Sequence, residues 1–285
     1  MNVAYICTNY NNAHFSEAAV ASWLGARRPA GIGNCRAVVV DNDSAPTDVQ
    51  RLKEFHGRTP GMELVCSPAN LGYFGGLNAG LEHLHRADAP ADLVVIGNND
   101  LIFPAGFLES LWNCRDRFAD HAVVSPDIVT LDGAHQNPHV ISGIGWKRQL
   151  VYDIYHSSYL CARAIRRLAH LTRRFTDRHD ESEWEKPQLV HQGHGSCYIL
   201  GPLFFKNFTN LWAPTFLLGE EFFLSKQLSD RGMMVYYEPA MQITHHCNAT
   251  IGRMPGRLMW RYSREAHRIY RQHVTVFGRT PGAGR

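Results

Sequence analysis

The feature that most constrains this chain is a repeated junction, an apolar run that stops abruptly at small polar residues. Its clearest case is Leu93-Val94-Val95-Ile96-Gly97 followed by Asn98-Asn99-Asp100. Four large apolar side chains in a row suit a strand buried on both faces, the usual state in a parallel sheet. Such a strand has two ordinary reasons to end in Asn-Asn-Asp. The polar groups cap the next helix, expected over residues 104–118. Alternatively they face the crevice at the carboxyl ends of the strands, where open α/β sheets bind ligands. Asp100 is a hard oxygen donor, suited to Mg2+ or Mn2+. The triplet alone leaves both readings open.

The junction recurs. A first apolar run over residues 3–7 leads into Thr8-Asn9-Tyr10-Asn11-Asn12, and a helix is expected over 14–26, where Ala18, Ala19, Ser22 and Trp23 have helical spacing. A second run over 36–40 ends in Asp41-Asn42-Asp43-Ser44. A helix over 46–55 begins at a proline, and Met62–Cys66 reads as a third strand, making residues 93–97 the fourth. Between the third and fourth lies Asn70-Leu71-Gly72-Tyr73-Phe74-Gly75-Gly76-Leu77-Asn78-Ala79-Gly80. Its glycines suit a structural turn or a close backbone approach to a phosphate. Neither G-x-G-x-x-G nor a P-loop is present. Strands alternating with helices at this spacing predict a parallel sheet with helices on both faces.

At 285 residues, 45% hydrophobic and 19% charged, the chain suits one large α/β domain or one domain with an appendage. No apolar run approaches the roughly 18 residues of a membrane-spanning helix. The first residues read as a strand, not a signal peptide. Seven scattered cysteines without a C-x-x-C pair point to reduced thiols in a cytoplasmic protein. Charge is uneven: residues 1–150 carry 11 Lys+Arg against 15 Asp+Glu, net −4, and residues 151–285 carry 18 against 11, net +7. A basic second half suggests an anionic partner.

In that second half, residues 122–125, 140–144 and 150–154 read as short strands. Residues 159–179 read as a basic amphipathic helix. Ile165, Leu168 and Phe175 lie on one side, with Arg163, Arg166, Arg167, Arg173, Arg174 and Arg178 elsewhere on its surface. Such a helix can lie on an anionic membrane or simply present a solvated face. His191 and His194 have ligand-like spacing, but isolated histidines are more often hydrogen-bonded structural groups. The run Phe216-Leu217-Leu218-Gly219 leads into Glu220-Glu221, paired carboxylates opening a helix through Arg231. On composition alone they are ordinary first-turn acids. Residues 233–238 and 241–244 read as two strands, ending in His245-His246. A last helix over 255–274 carries Arg257, Arg261, Arg264, Arg268 and Arg271 at alternating spacings of four and three, one continuous stripe.

Taken in order, Thr8-Asn9-Tyr10-Asn11, Asp41-Asn42-Asp43-Ser44, Asn70-x-Gly72-x-x-Gly75-Gly76-x-Asn78-x-Gly80 and Asn98-Asn99-Asp100 resemble the successive nucleotide-sugar motifs of glycosyltransferase family 2, in particular its bacterial rhamnosyltransferase-like branch. The resemblance implies a GT-A fold, an α/β architecture with a Rossmann-like mixed sheet and helices on both faces. Residues 1–250 would form the transferase domain, divided into a nucleotide-binding half (1–120) and an acceptor half (121–250). Residues 251–285 would form a C-terminal basic helix and tail.

The resemblance also implies roles. Thr8 and Tyr10 would border the base, Asp41 would hydrogen-bond the pyrimidine, and Asp43 would lie near the ribose. Asn70, Gly72 and Asn78 would line the nucleotide site. Asp100 matches the last acid of the family's D-x-D, which holds Mg2+ or Mn2+ on the diphosphate. Asn98 replaces the first acid, with Asn99 between them. Glu221 stands where the family has the Asp of Gly-Glu-Asp and would be the catalytic base, with Glu220 as partner or acceptor contact. His245 would join Asp100 at the metal.

The implied reaction is inverting transfer of a sugar from dTDP-rhamnose or a UDP-sugar. The hydroxyl acceptor would belong to a growing surface polysaccharide or a lipid-linked glycan. The implied location is the cytoplasm, peripheral on the inner face of the membrane through the arginines of 163–178 and 257–271. An inactive sugar-nucleotide-binding module is the alternative suggested by Asn98 and Glu221. A nucleotidyltransferase fits less well, because the first strand is not followed by a basic Gly-rich loop. No nucleic-acid-binding motif is visible.

Overall fold

The computed structural model describes residues 1–87, 90–176, 180–247 and 256–274, without the side chains of 169–176. The first strand, β1 (Val3–Asn9), pairs in parallel with β2 (Cys35–Asp41) and with β4 (Leu93–Gly97), and β3 (Met62–Cys66) extends the sheet beyond β2. Every residue of β2 and β4 is buried. That is why their sequences are unbroken apolar runs: helices cover both faces. Side chains alternate between two cores with a period of two. Tyr5, Cys7, Ala37 and Val39 pack with α1 (Ala13–Leu24), α2 (Pro46–Gly57) and α4 (Phe107–Asn113). Ile6, Val38 and Val40 pack with α3 (Tyr73–His85), α7 (Pro202–Asn207) and α8 (Glu220–Ser229).

Beyond β4 the sheet becomes mixed. The antiparallel strand β8 (Cys197–Leu200) lies between β4 and β6 (Val123–Thr130). β9 (Val235–His245) runs parallel to β6 and antiparallel to β5 (Leu101–Ile102) and β7 (Gln188–Val190). The architecture is the expected mixed α/β sheet with helices on both faces. Residues 233–238 and 241–244, expected as two strands, fall instead within the single β9. Its register against β6 jumps from Pro126–Glu238 to Asp127–Gln242. Pro239 falls in that bulge, where a missing N–H costs no ladder bond.

Residues 150–154 are helical, not a strand. They belong to α5 (Trp146–Ser157), and α6 (Tyr159–Thr176) follows after Ser158 in extended conformation. Val151 and Ile154 suggest a strand by type, but the governing pattern is a spacing of four through Trp146, Leu150 and Ile154. The opposite face of α5 meets α9 (Gly256–His273). Trp260 Nε1 donates to the Tyr155 carbonyl (3.1 Å), His267 Nε2 meets Asp153 Oδ1 (2.7 Å), and the His156 and His267 rings stack at 4.2 Å. Residues 140–144 form no strand either; Val140 makes only an isolated bridge to Gln192. Among the described residues no helix is long and apolar enough to cross a membrane.

Candidate active site

A cleft of about 600 Å3 opens over the carboxyl ends of β1, β2 and β4. Thr8, Tyr10, Asn42 and Asn70 line one end, and Leu258 and Tyr262 of α9 line another wall. The glycine-rich turn is tight because a second segment closes on it. Gly72 has φ +76°, and a Cβ there would lie 2.0 Å from the Phe216 carbonyl oxygen. That same oxygen accepts from Tyr73 N–H at 3.1 Å. Phe216 in turn stacks on Tyr262 at 5.2 Å.

One acidic corner forms where β4 ends beside the end of β9. Pairing of Leu101 with His245 places that imidazole over the triplet. Asp100 and His245 are both buried, with His245 Nε2 3.2 Å from Asp100 Oδ1. Gln136 Oε1 accepts from His245 Nδ1–H at 2.7 Å, which fixes the tautomer and turns the Nε2 lone pair inward. Asn98 Nδ2 donates to that nitrogen at 3.2 Å. An imidazole lone pair facing a carboxylate oxygen is unfavourable unless a cation or proton lies between them. Carboxylate, imidazole and a carboxamide able to present its oxygen form a donor set that suits Mn2+. Among the described residues no three His, Cys, Asp or Glu side chains converge on one point. The chain therefore offers two strong donors and an amide.

The other corner opens α8. Leu218 (φ +73°) and the helix N-cap Gly219 (φ +88°) are both left-handed, and the Leu218 N–H donates to Glu220 Oε1 at 2.9 Å. That bond holds the strained turn. Glu220 is buried, and desolvation, reinforced by the charge of Glu221, raises its carboxyl to about 8. Glu221 is less buried and lines the cleft, where its Oε1 accepts from Gly195 N–H at 3.2 Å. A Cβ at Gly195 would lie 2.5 Å from that oxygen, so a larger residue there would displace the Glu221 carboxylate. The two glutamates thus differ: Glu220 locks the turn, and Glu221 faces the cavity.

Asn98, Asn99, Asp100, His245, Glu220 and Glu221 converge on the same cleft as Thr8, Tyr10, Asn70 and Gly72. Three expected residues do not line it. Asp41 accepts from Asn9 Nδ2 (3.1 Å) and from Ser44 N–H (3.2 Å), closing its own turn. Asp43 is exposed outside the cleft at φ +66°. Asn78 exchanges two bonds with the Leu211 backbone (2.9 and 2.8 Å), pinning a loop. Asn99 borders the cleft, but its amide donates inward to Asn12 Oδ1 (2.7 Å) and Ser16 Oγ (2.8 Å).

Other contributors carry little sequence signal. Asn42 joins the Gly72 carbonyl (2.9 Å) to the Leu71 N–H (3.0 Å), and Tyr73 OH donates to the Gly195 carbonyl (3.0 Å). His194 lies 6.0 Å from the His245 ring, and burial pushes its imidazole down to about 3, so it is neutral. His191 does not line the cleft.

A mixed sheet with a cleft over its strand ends and two acidic corners defines the GT-A class of architecture. The profile of glycosyl transferase family 2 matches residues 5–170, more than half of the chain, and the chain belongs to that family. Among solved structures it is similar to a mannosyltransferase, PcManGT from Pyrobaculum calidifontis, in complex with GDP-Man and Mn2+. Identity is 18% and TM-score 0.56, covering 98% of this chain and 65% of that one. It is also similar to GalNAc-T7 with UDP, GalNAc and Mn2+, at 12% identity and TM-score 0.55, covering 89% of this chain and 45% of that one. These likenesses show the fold; the chain spans less than two thirds of either protein. Comparison with curated proteins finds no match.

Proposed function

We propose that the chain is an inverting glycosyltransferase that moves a sugar from dTDP-rhamnose or a UDP-sugar to a hydroxyl of a growing surface polysaccharide or lipid-linked glycan. The observation that carries this reading is that Asp100, His245 and Glu221, from three distant parts of the sequence, line one cavity. Thr8, Tyr10, Asn42 and Asn70 would receive the nucleotide. Asp100 and His245, with Asn98, would hold Mn2+ or Mg2+. The bound ion would offset the negative charge that grows on the leaving diphosphate.

Glu221 takes the proton of the acceptor hydroxyl as general base. The hydroxyl oxygen then forms a bond to the anomeric carbon as the bond to the diphosphate oxygen breaks. One displacement from the opposite face inverts that carbon. Glu220 positions its neighbour by fixing the turn before α8. Membership of the family and the fold of Mn2+-bound neighbours support the reading. The rhamnosyltransferase-like motifs support the choice of donor. Exposed arginines, Arg163, Arg166 and Arg167 of α6 and Arg257, Arg261 and Arg268 of α9, support a cytoplasmic protein held peripherally on the inner membrane face.

Glu221→Gln tests it. Calorimetry with nucleoside diphosphate and Mn2+ is expected to show binding close to that of the wild type. Transfer from the sugar nucleotide is expected to fall at least about a hundredfold, within the range of general-base catalysis. Full turnover by this variant would remove Glu221 from its role.

A further inference from the structure

His194 lines the cleft, yet the proposed reaction gives it no task. It stands between the two acidic corners. Its ring centre is 6.0 Å from that of His245. The next residue, Gly195, reaches Glu221 through its N–H at 3.2 Å. A sugar that joins a diphosphate held at Asp100 to a hydroxyl activated by Glu221 lies between those corners, and so beside His194.

The backbone that carries this ring is fixed on both sides. His194 N–H donates to Oδ1 of the buried Asn137 (2.8 Å), whose own amide donates to Ser125 Oγ (2.9 Å) and the Pro126 carbonyl (2.7 Å). Asn98 N–H donates to the Ser196 carbonyl at 2.9 Å. The ring itself is set by Ser196, whose backbone N–H donates to His194 Nδ1 at 3.3 Å and whose Oγ lies 2.9 Å from the same nitrogen. A backbone N–H can only donate. Nδ1 therefore bears the lone pair, and the proton of the neutral ring is on Nε2. That Nε2–H donates to no protein atom among the described residues, and it is not sealed from the cleft. The chain thus presents an oriented, uncharged hydrogen-bond donor where the sugar would lie.

Charge narrows what that donor can meet. Among the described residues the cleft is lined by Asp100, Glu220 and Glu221 and by no Lys or Arg. A sugar carboxylate would face Asp100 and Glu221 without a counter-charge of its own, because an ion at Asp100 is already shared with the diphosphate. Like charges brought together in a partly desolvated site are unfavourable, and such repulsion discriminates between ligands of similar shape. A hydroxyl needs only a donor or an acceptor. We propose that His194 is a specificity-determining residue whose Nε2–H donates to a hydroxyl of the transferred sugar, in a cleft that selects neutral sugars against uronic acids. This rests on the transfer reading above and narrows its donor class.

Calorimetry of the full chain in Mn2+ tests it. The probes are UDP, dTDP, dTDP-rhamnose, UDP-glucose, UDP-galactose, UDP-glucuronic acid and UDP-galacturonic acid. At least one neutral sugar nucleotide is expected to bind more tightly than its bare diphosphate. Each uronic acid is expected to bind at least about tenfold more weakly than its neutral counterpart. Two variants separate the outer donor from the inner bond. His194→Asn keeps an acceptor for Ser196 at the Nδ1 position but reaches no farther, whereas His194→Gln can place an amide N–H where Nε2–H stands. His194→Asn is expected to lower affinity for the tightest neutral sugar nucleotide about tenfold, and His194→Gln by less than about threefold. Diphosphate affinity stays at the wild-type value in both, which also reports that they fold. A purely structural histidine would give the opposite order of variants, or would move diphosphate and sugar-nucleotide affinities together; either result overturns the proposal. So does a uronic acid that binds as tightly as its neutral counterpart. If neither UDP nor dTDP binds the wild type, the transfer reading fails and this inference goes with it. If they bind but the sugar adds nothing that His194→Asn removes, the inference alone fails.

Discussion

Two strand ends in this molecule carry nearly the same sequence and do different work. Asp41-Asn42-Asp43 follows β2, and Asn98-Asn99-Asp100 follows β4. Around the first, the polar groups satisfy one another. Asn9 Nδ2 reaches Asp41, Ser44 and Asp48 (3.1, 3.1 and 2.7 Å), and Asp48 Oδ1 caps the Ala13 N–H (3.0 Å). At the second, the turn after β4 divides the triplet. Asn99 turns inward and joins the Asn9 network, whereas Asn98 and Asp100 meet His245 at the cleft. An acid at a strand end is therefore available for chemistry only if its neighbours have not already occupied it. A charged group can hold a loop or hold a ligand, and the difference lies in its partners.

The largest effect expected from this contrast follows substitution of Asp100. Asp100→Asn is expected to lower transfer by about 10²–10³-fold, the scale for losing one electrostatic contact to a developing anion. Nucleoside-diphosphate affinity in Mn2+ should fall with it. The measurement is initial transfer rate against Mn2+ concentration, beside the wild type. A variant that kept its rate and Mn2+ dependence would make the second triplet as structural as the first.

The reverse pattern is expected at Asn9. Asn9→Ala strips a buried hydrogen-bond donor from two carboxylates and an acceptor from Ser16. Unsatisfied buried groups cost about 1–3 kcal/mol, so thermal or urea unfolding should report a destabilised protein. Transfer by the folded fraction should stay within a few-fold of wild type. A collapse of the rate with stability intact would put the first triplet into the reaction.

The same contrast explains what the sequence discloses. Strands β1, β2 and β4 were legible because burial on both faces demands unbroken apolar runs and the junctions follow directly. The family motifs placed Asp100, His245 and Glu221, and all three line the cleft. What the sequence hid were partners separated by long stretches of chain. Nothing near Gln136 signals that it will orient His245, 109 residues away. Asn78 lies in a ligand-like motif, yet its amide is taken by Leu211. The apolar residues of α5 looked like a strand because residue type, not spacing, was the louder signal. That helix packs against α9, far along the chain.

The smallest effect is expected where the comparison is finest, between the two glutamates of α8. Glu220 has its carboxyl raised to about 8 by burial and by Glu221, so the native state holds a proton that the unfolded chain releases near its ordinary value. The sign follows: the folded state binds more protons, so this group's contribution to stability is complete at acidic pH and is lost as pH rises toward and through about 8. Glu220→Gln imitates the protonated form and can still accept the Leu218 N–H. Its stability should match the wild type below about pH 4.5, exceed it by a growing margin as pH rises from there to about 8, and keep that margin above pH 8, seen as a flatter dependence of urea midpoint on pH. Glu221→Gln, whose carboxylate lies toward the cleft, should not flatten that curve to the same degree. If it did, burial would not distinguish the two acids, and the assignment of one to the turn and the other to the acceptor would have to be exchanged or abandoned.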